Sequence, residues 1–304
     1  MTLIARKYRA YPTEDQKIYF AKTFGCSRFI YNKLVEEMTN NYEEYKKEKV
    51  KPGASKDLKV KKINEVSHYK NQEEYKWLKE VDSLALSNAK INAETALQNF
   101  FRNVKQGKTP GYPKFKKKYN SRQSYTTNNV NNSIRLVTQK NKADHNRTFV
   151  NLPKIKEIEI VCHRSLKGKI KSCTISKTCS DKYFISILVE QDQSQIDKLP
   201  ETTKEVGIDL GLKELAVLSD GTSYANPKTL YKHEEELKHL QRMVSRRTKG
   251  SNRRNMAQKR LAKKHEQIRN IRSNYLHQVS KDIIIVYRQN STFPGFSSIS
   301  PSLQ

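Results

Sequence analysis

Acidic side chains are scarce in this sequence: 31 Asp and Glu stand against 59 Lys and Arg over 304 residues, a formal net charge of +28. A compact fold with that surplus repels itself, and such a surplus is tolerated where a polyanion neutralises it, so nucleic acid is the leading partner. Apolar runs are short as well. At 35% hydrophobic residues no stretch is long enough to span a bilayer, and the first residues lack the apolar core of a signal peptide. The expectation is a soluble, cytoplasmic protein without a membrane partner, associated with the nucleoid when bound to DNA. Cysteine is sparse: Cys26, Cys162, Cys173 and Cys179 form no C-x-x-C pair, so neither a disulfide framework nor a zinc ribbon is readable, and no zinc is expected. Carboxylates are missing altogether after Asp282.

The residues that are present divide the chain. Lys7 to Pro12 read as a short strand, and Thr13 with Gln16 forms a capping box that opens a helix, with Ile18, Ala21, Phe24, Phe29, Ile30, Leu34 and Met38 at helical spacing. A polar stretch around Pro52 and Gly53 interrupts, and a second helical region begins near Asn71. Ser83 is positioned to cap a further helix with the stripe Leu86, Ala89, Ala93, Leu97, Phe100, Phe101 and Val104. The prolines and glycines of Gly107 to Pro113 end helical structure. Short strand-type runs follow: Gln123 to Thr127, Ile134 to Thr138, Thr148 to Leu152, Ile155 to His163, Lys169 to Lys177 and Tyr183 to Val189, at spacings typical of a barrel. After a polar linker at 198–204, Val206 to Leu210 reads as a buried apolar strand. It pairs with Leu215 to Leu218 in a hairpin with Asp209 on its inner strand. Two long polar helices, about Lys228 to Lys249 and Arg253 to Val286, complete the pattern.

Two features carry chemistry. From Lys232 to Lys281 there are 15 Lys or Arg against four Glu, and from Lys105 to Arg122 seven Lys or Arg with no acid. In the second cluster aromatics interleave with cations (Tyr112, Lys114, Phe115, Lys116, Lys117, Lys118), a pairing that suits stacking on bases together with phosphate binding. Arg246, Arg247, Arg253 and Arg254 are the matching backbone-binding candidates in the first. The other feature is Gly207-Ile208-Asp209-Leu210-Gly211-Leu212, a strand with one carboxylate beside glycines that allow close approach of a ligand or backbone. A metal-dependent nuclease would hold Mg²⁺ at such a position.

GIDLGLKELAVLSDG (207–221), GYPKFKKKYNSRQSYTT (111–127), LQNFFRNV (97–104) and KYRAYPTEDQ (7–16) together resemble TnpB (OrfB), the transposon-encoded family of RNA-guided nucleases related to type V CRISPR effectors. The resemblance runs from the N-terminus to about Ile284. It implies an α+β fold: a wedge β-barrel domain (1–12 and 106–197), an inserted helical recognition domain (13–105), the linker, and a partial RNase H-like (RuvC) domain (205–286), with 287–304 as an atypical tail.

The resemblance also implies a guide RNA and a double-stranded DNA target as partners, and it is compatible with a homodimer. It places reading of a short flanking DNA motif on Ser87, Lys90, Asn92, Thr126, Thr127 and Asn128. RuvC-type nucleases hold two metal ions with carboxylates from three separate motifs. Asp209 fits the first motif, and nothing matching the later acidic motifs or the four-cysteine zinc module follows. Asp209 is therefore vestigial and insufficient alone, and no metal cofactor is expected. The sequence reading is an RNA-guided DNA-binding protein without nuclease activity, acting as a transcriptional repressor. Its alternatives are a Mg²⁺-dependent RNA-guided endonuclease and an inert, RNA-binding transposon remnant.

Overall fold

The structure is a computed structural model, which describes residues 1–51, 60–109, 111–118, 123–140, 146–192 and 205–289. The expected loop around Pro52 and Gly53, the linker at 198–204 and most of the tail lie outside the described residues. The chain divides into two compact units, Met1–Ile196 and Asp197–Gln304.

The first unit begins with β1 (Thr2–Tyr11), which starts five residues before the strand expected at Lys7 and ends one residue before Pro12. It is followed by α1 (Glu14–Lys49), a single helix capped as expected: Thr13 accepts from the Gln16 backbone and Gln16 accepts from the Thr13 backbone. Gln16 also donates to the Lys156 carbonyl at 3.0 Å, tying the helix start to the sheet. The buried face of α1 is Phe20, Phe24, Ile30, Leu34, Val35 and Met38, whereas Ile18 is 57% exposed; the expected stripe is rotated near its start. After α2 (Val66–Lys70) and a 3-10 turn (Glu73–Lys79) comes α3 (Ser83–Lys105). Its cap is Asp82, not Ser83: the Asp82 carboxylate accepts from the Leu84 backbone at 3.0 Å, in keeping with the strong N-cap preference for Asp.

The strands β2 (Gln123–Asn128), β3 (Arg135–Lys140), β4 (Asn146–Leu152), β5 (Ile155–Val161), β6 (Lys169–Lys177) and β7 (Tyr183–Gln191) join β1 in one antiparallel sheet of order β2-β6-β7-β1-β5-β4-β3. The sheet is open, which corrects the expected closed barrel. Among the described residues β2 and β3 form its two edges and do not pair, and α3 packs along β2 in place of a closing strand. The β7 pattern is strict alternation, with Ile185, Ile187 and Val189 fully buried. Phe20 and Phe24 enter the same core, with ring centroids 6.3 Å and 5.8 Å from Tyr125, so helices and sheet share hydrophobic contacts.

The second unit holds a three-stranded sheet, β8 (Ile208–Asp209), β9 (Glu214–Leu218) and β10 (Ser223–Ala225), in the order β10-β9-β8. Helices α4 (Thr229–Lys232), α5 (Glu234–Ser245) and α6 (Asn252–Gln289) follow. The predicted buried strand Val206 to Leu210 is not buried. Only two residues are strand, and Ile208, Leu210 and Leu212 are 47%, 75% and 90% exposed, since among the described residues β8 has a neighbour on one side only. The expected antiparallel pairing is present, with Ile208 opposite Leu218 and Asp209 opposite Val217, and β9 pairs on its other side with β10, so that among the described residues Asp209 lies on an edge strand rather than an inner one.

Phe20→Ala should lower stability by about 3–5 kcal/mol through the cavity it leaves. Trp77, the only tryptophan, lies in the 3-10 turn among the helices, 5.0 Å from the Phe29 ring. Its fluorescence and far-UV circular dichroism should shift to the same lower urea midpoint; a Trp77 transition left in place would show that helices and sheet unfold separately.

Candidate nucleic-acid interface

Where α3 crosses the β2 edge, α1, α3 and the 111–118 segment enclose a cleft of about 80 Å³. Its polar lining is Ser27 and Arg28 from α1, Asn88 and Asn92 from α3, Lys116, and Gln123, Ser124 and Thr126 from β2. Residues 85, 88, 89 and 92 share one helical face at three- and four-residue spacing. That face is why Asn92 reaches the sheet. Three of the sequence-selected residues, Asn92, Thr126 and Lys116, thus meet at one place.

Lys116 is fixed by its backbone. The Asn32 amide donates to the Lys116 carbonyl at 3.0 Å while its oxygen accepts from the Lys116 N–H at 2.8 Å. The ammonium stands 3.8 Å from the centroid of the Tyr31 ring, and burial holds its pKa below the ordinary lysine value. Thr126 shares a 2.8 Å hydrogen bond with Thr174 of β6. The Ser27 hydroxyl is buried and has no hydrogen-bond partner among the described residues. Arg28, Asn88, Gln123 and Ser124 carry no signal that a lone sequence could reveal, since only the packing of α3 on β2 brings them together.

The remaining candidates are elsewhere. Lys90 turns to the other side of α3, where Glu65 pairs with it and Glu94 lies at 3.7 Å, and its side chain is only 14% exposed. Ser87 is exposed and donates back to the Ser83 carbonyl at 3.2 Å. Thr127 is fully buried, with its hydroxyl facing the core, and Asn128 ends β2 opposite Ser172. Lys114, Lys117 and Lys118 are exposed beside Phe115, itself 55% exposed.

In the second unit Asp209 is exposed, its backbone paired with Val217. Gly211 does permit a close approach, since a Cβ there would stand 3.0 Å from the Glu214 carbonyl oxygen. Asp282 lies near the opposite edge of the sheet: it raises the pKa of Tyr224 on β10, after the larger effect of burial, and β9 separates β10 from β8. Among the described residues no three His, Cys, Asp or Glu side chains gather to hold a metal. The donor set around Asp209 does not fit a two-metal centre, in which several anionic ligands must offset the repulsion between the ions.

Residues 186–292 match the family described as "Probable transposase", and residues 1–47 match one described as "Helix-turn-helix domain". The chain is 32% identical over 295 residues to a protein of Streptomyces pristinaespiralis named "Putative RNA-guided DNA endonuclease", covering 95% of this chain and 65% of that one. It is 30% identical over 279 residues to "Putative RNA-guided DNA endonuclease InsQ" of Escherichia coli (strain K12), covering 91% and 62%. The chain belongs to the TnpB family. It spans somewhat under two thirds of the length of these relatives. A solved "CRISPR-Cas12f Ternary Complex" aligns over 91% of this chain and 62% of that one at 14% identity, with a TM-score of 0.36, too low to establish a shared fold.

In this TnpB-family chain the segment matched as helix-turn-helix is a strand followed by one continuous helix. The basic α5–α6 connection is partly self-occupied. Arg254 donates to the carbonyls of Val244 and Arg247 at 2.9 Å and 2.7 Å, and Arg247 donates to that of Arg253 at 2.6 Å. Both satisfy carbonyls where helices end or begin, leaving Arg246 and Arg253 as the exposed pair.

Lys116 gives a pH-dependent test. Below its lowered pKa the folded state bears the whole cost of a buried charge; as pH rises towards the ordinary value of 10.5 the folded state loses the proton before the unfolded state does, and stability climbs. Lys116→Met should therefore raise the urea midpoint near neutral pH and abolish that climb. Equal pH profiles for variant and parent would contradict the assignment.

Proposed function

We propose that this chain is an RNA-guided DNA-binding protein that does not cut: a guide RNA selects the target by base pairing, and the protein reads a short flanking duplex motif, a division of labour general to RNA-guided effectors. The observation that carries the reading is the cleft at the β2 edge, where two asparagines and a glutamine converge with Arg28 and Lys116. Asn and Gln pair bidentately with adenine edges, and Arg or Lys with guanine or phosphate. The motif-reading group is therefore Asn92 and Thr126 with Lys116. Ser87 and Lys90 are left out of it, Ser87 hydrogen-bonded within its own helix and Lys90 held by carboxylates. The net charge of +28 supports a large phosphate-binding surface, to which Lys114, Lys117, Lys118, Arg246 and Arg253 contribute. The domain plan outlined from the resemblance, with a wedge, an inserted helical part and a partial RuvC domain, belongs to this proposal.

Binding without cutting has a natural output, occlusion of a promoter or of another protein's site. The lack of cleavage is inferred from Asp209, an exposed carboxylate on a two-residue edge strand, with Asp282 near the far edge. The endonuclease reading is favoured by the names of the relatives and requires carboxylates beyond those gathered here.

One preparation tests both parts. RNA that co-purifies with the protein should be a single defined species. With that RNA bound, Asn92→Ala and Thr126→Ala should reduce discrimination between matched and altered flanking motifs by about tenfold, with guide-RNA affinity unchanged. Asp209→Ala should leave DNA binding as it is. Guide-dependent cleavage of matched DNA in Mg²⁺ that Asp209→Ala abolishes would establish the endonuclease instead.

A further inference from the structure

One face of the seven-stranded sheet is filled by the core. Alternate residues project to the other face, and the strand register aligns them in rows. One row runs Ser124, Ser176, Phe184, Arg9, and the adjacent row runs Thr126, Thr174, Ser186, Lys7. Each row crosses three inter-strand gaps, about 14 Å at ~4.8 Å each. Ser124 and Thr126 also line the cleft, so the rows begin where the cleft ends.

Arg9 is held on this face from three directions. Its Nη1 donates to the Tyr183 carbonyl at 3.1 Å, and its guanidinium carbon lies 5.2 Å from the ring centroids of both Tyr11 and Phe184. Lys7 Nζ stands 4.3 Å from the Phe184 centroid. Cross-strand aromatic and cation pairs of this kind also stabilise sheets with no ligand at all. Here, however, Tyr11, Leu3 and Val161 remain 53%, 60% and 51% exposed. The exposed Tyr11 ring, the Arg9 guanidinium beside it and the half-buried Phe184 ring thus place planar faces and positive charge next to the Ser176 and Ser186 hydroxyls.

We propose that this face is a stacking platform for unpaired RNA nucleotides, continuous with the cleft at β2. The proposal rests on the RNA-binding part of the function above and assigns a surface to it. Unpaired bases stack on aromatic rings and on guanidinium planes, and a sheet is wide enough to seat two or three of them. Ser176 and Ser186 supply donors and acceptors for ribose 2′-hydroxyls, while Arg9 meets the phosphates. Duplex DNA fits poorly, because its bases are stacked inside and offer no faces to Tyr11 or Phe184.

The test uses the full chain stripped of bound RNA in high salt, with a fluorescent oligouridine as probe. Phe184→Leu, which keeps an apolar side chain and removes the ring, should weaken oligouridine binding about tenfold. Phe184→Tyr should retain it, and neither should alter binding of duplex DNA. Arg9→Gln is the second variant, and ultraviolet crosslinking of oligouridine to the unmutated protein should map to Tyr11 or Phe184 whatever the variants do to folding. Unchanged oligouridine binding in both variants, equal losses for duplex DNA, or crosslinks confined to other surfaces would each overturn the platform and leave the wider RNA reading standing. Failure of the unmutated protein to bind oligouridine or to co-purify with RNA would overturn both.

Discussion

Everything in the first unit follows from the position of β1. Its residues Thr2–Ala10 are paired with β7 on one side, and Arg9–Tyr11 with β5 on the other. The first strand of the chain is therefore in the middle of a sheet whose other members all come from residues 123–191. A chain that leaves the centre of a sheet and returns at its edge must pass its intervening residues over a face, and α1 does so directly from Thr13. Phe20 and Phe24 then fall on the sheet core while Ile30, Leu34 and Met38, further along the same helix, form a second core with α2, the 3-10 turn and α3. One helix joins two cores, and the return of α3 along β2 creates the cleft.

The same path explains how a strongly basic chain places cations usefully. Surface ion pairs contribute little to stability, and several lysines here are occupied by them: Lys22 with Glu80, Lys61 with Glu44 and Lys90 with Glu65 lie on the helical part. Lys116 is different, because Asn32 fixes its backbone and Tyr31 supplies a ring face in place of a carboxylate. A ring attracts a cation without neutralising it, so the charge stays available to an anion. Arg9, between Tyr11 and Phe184, is built on the same principle.

Local signals in the sequence were accurate where the physics is local. The Thr13–Gln16 box, the helix breakers after Gly107 and the strand-type runs that form β6 and β7 each depend on neighbours within a few residues, and each is present. What escaped depends on distant partners. Lys90 looks like a base-reading residue until Glu65, remote in sequence, is seen beside it. Ser83 and Asp82 are both good caps, and one hydrogen bond to Leu84 decides between them. Strand spacing suggests closure into a barrel, but closure needs β2 and β3 to pair, and among the described residues they do not, while α3 packs against β2. Of the residues that meet in the cleft, Asn92, Thr126 and Lys116 stand out in the sequence, whereas Ser27, Arg28, Asn88 and Gln123 join them only through packing.

The second unit sets the GIDLG motif at the open end of a small sheet. GIDLG keeps the backbone geometry that its glycine requires, with Gly211 in close approach to Glu214. Yet apolar side chains at 208, 210 and 212 face solvent, and among the described residues no strand pairs with the outer edge of β8. Exposed strand edges invite pairing and are normally covered, charged or shortened. Here the edge is only two residues long and carries a carboxylate at its end, which limits the edge hazard by brevity and charge. In that setting Asp209 has a structural reason to persist that is independent of metal binding: a charged residue at an open, apolar edge discourages another strand from adding to it.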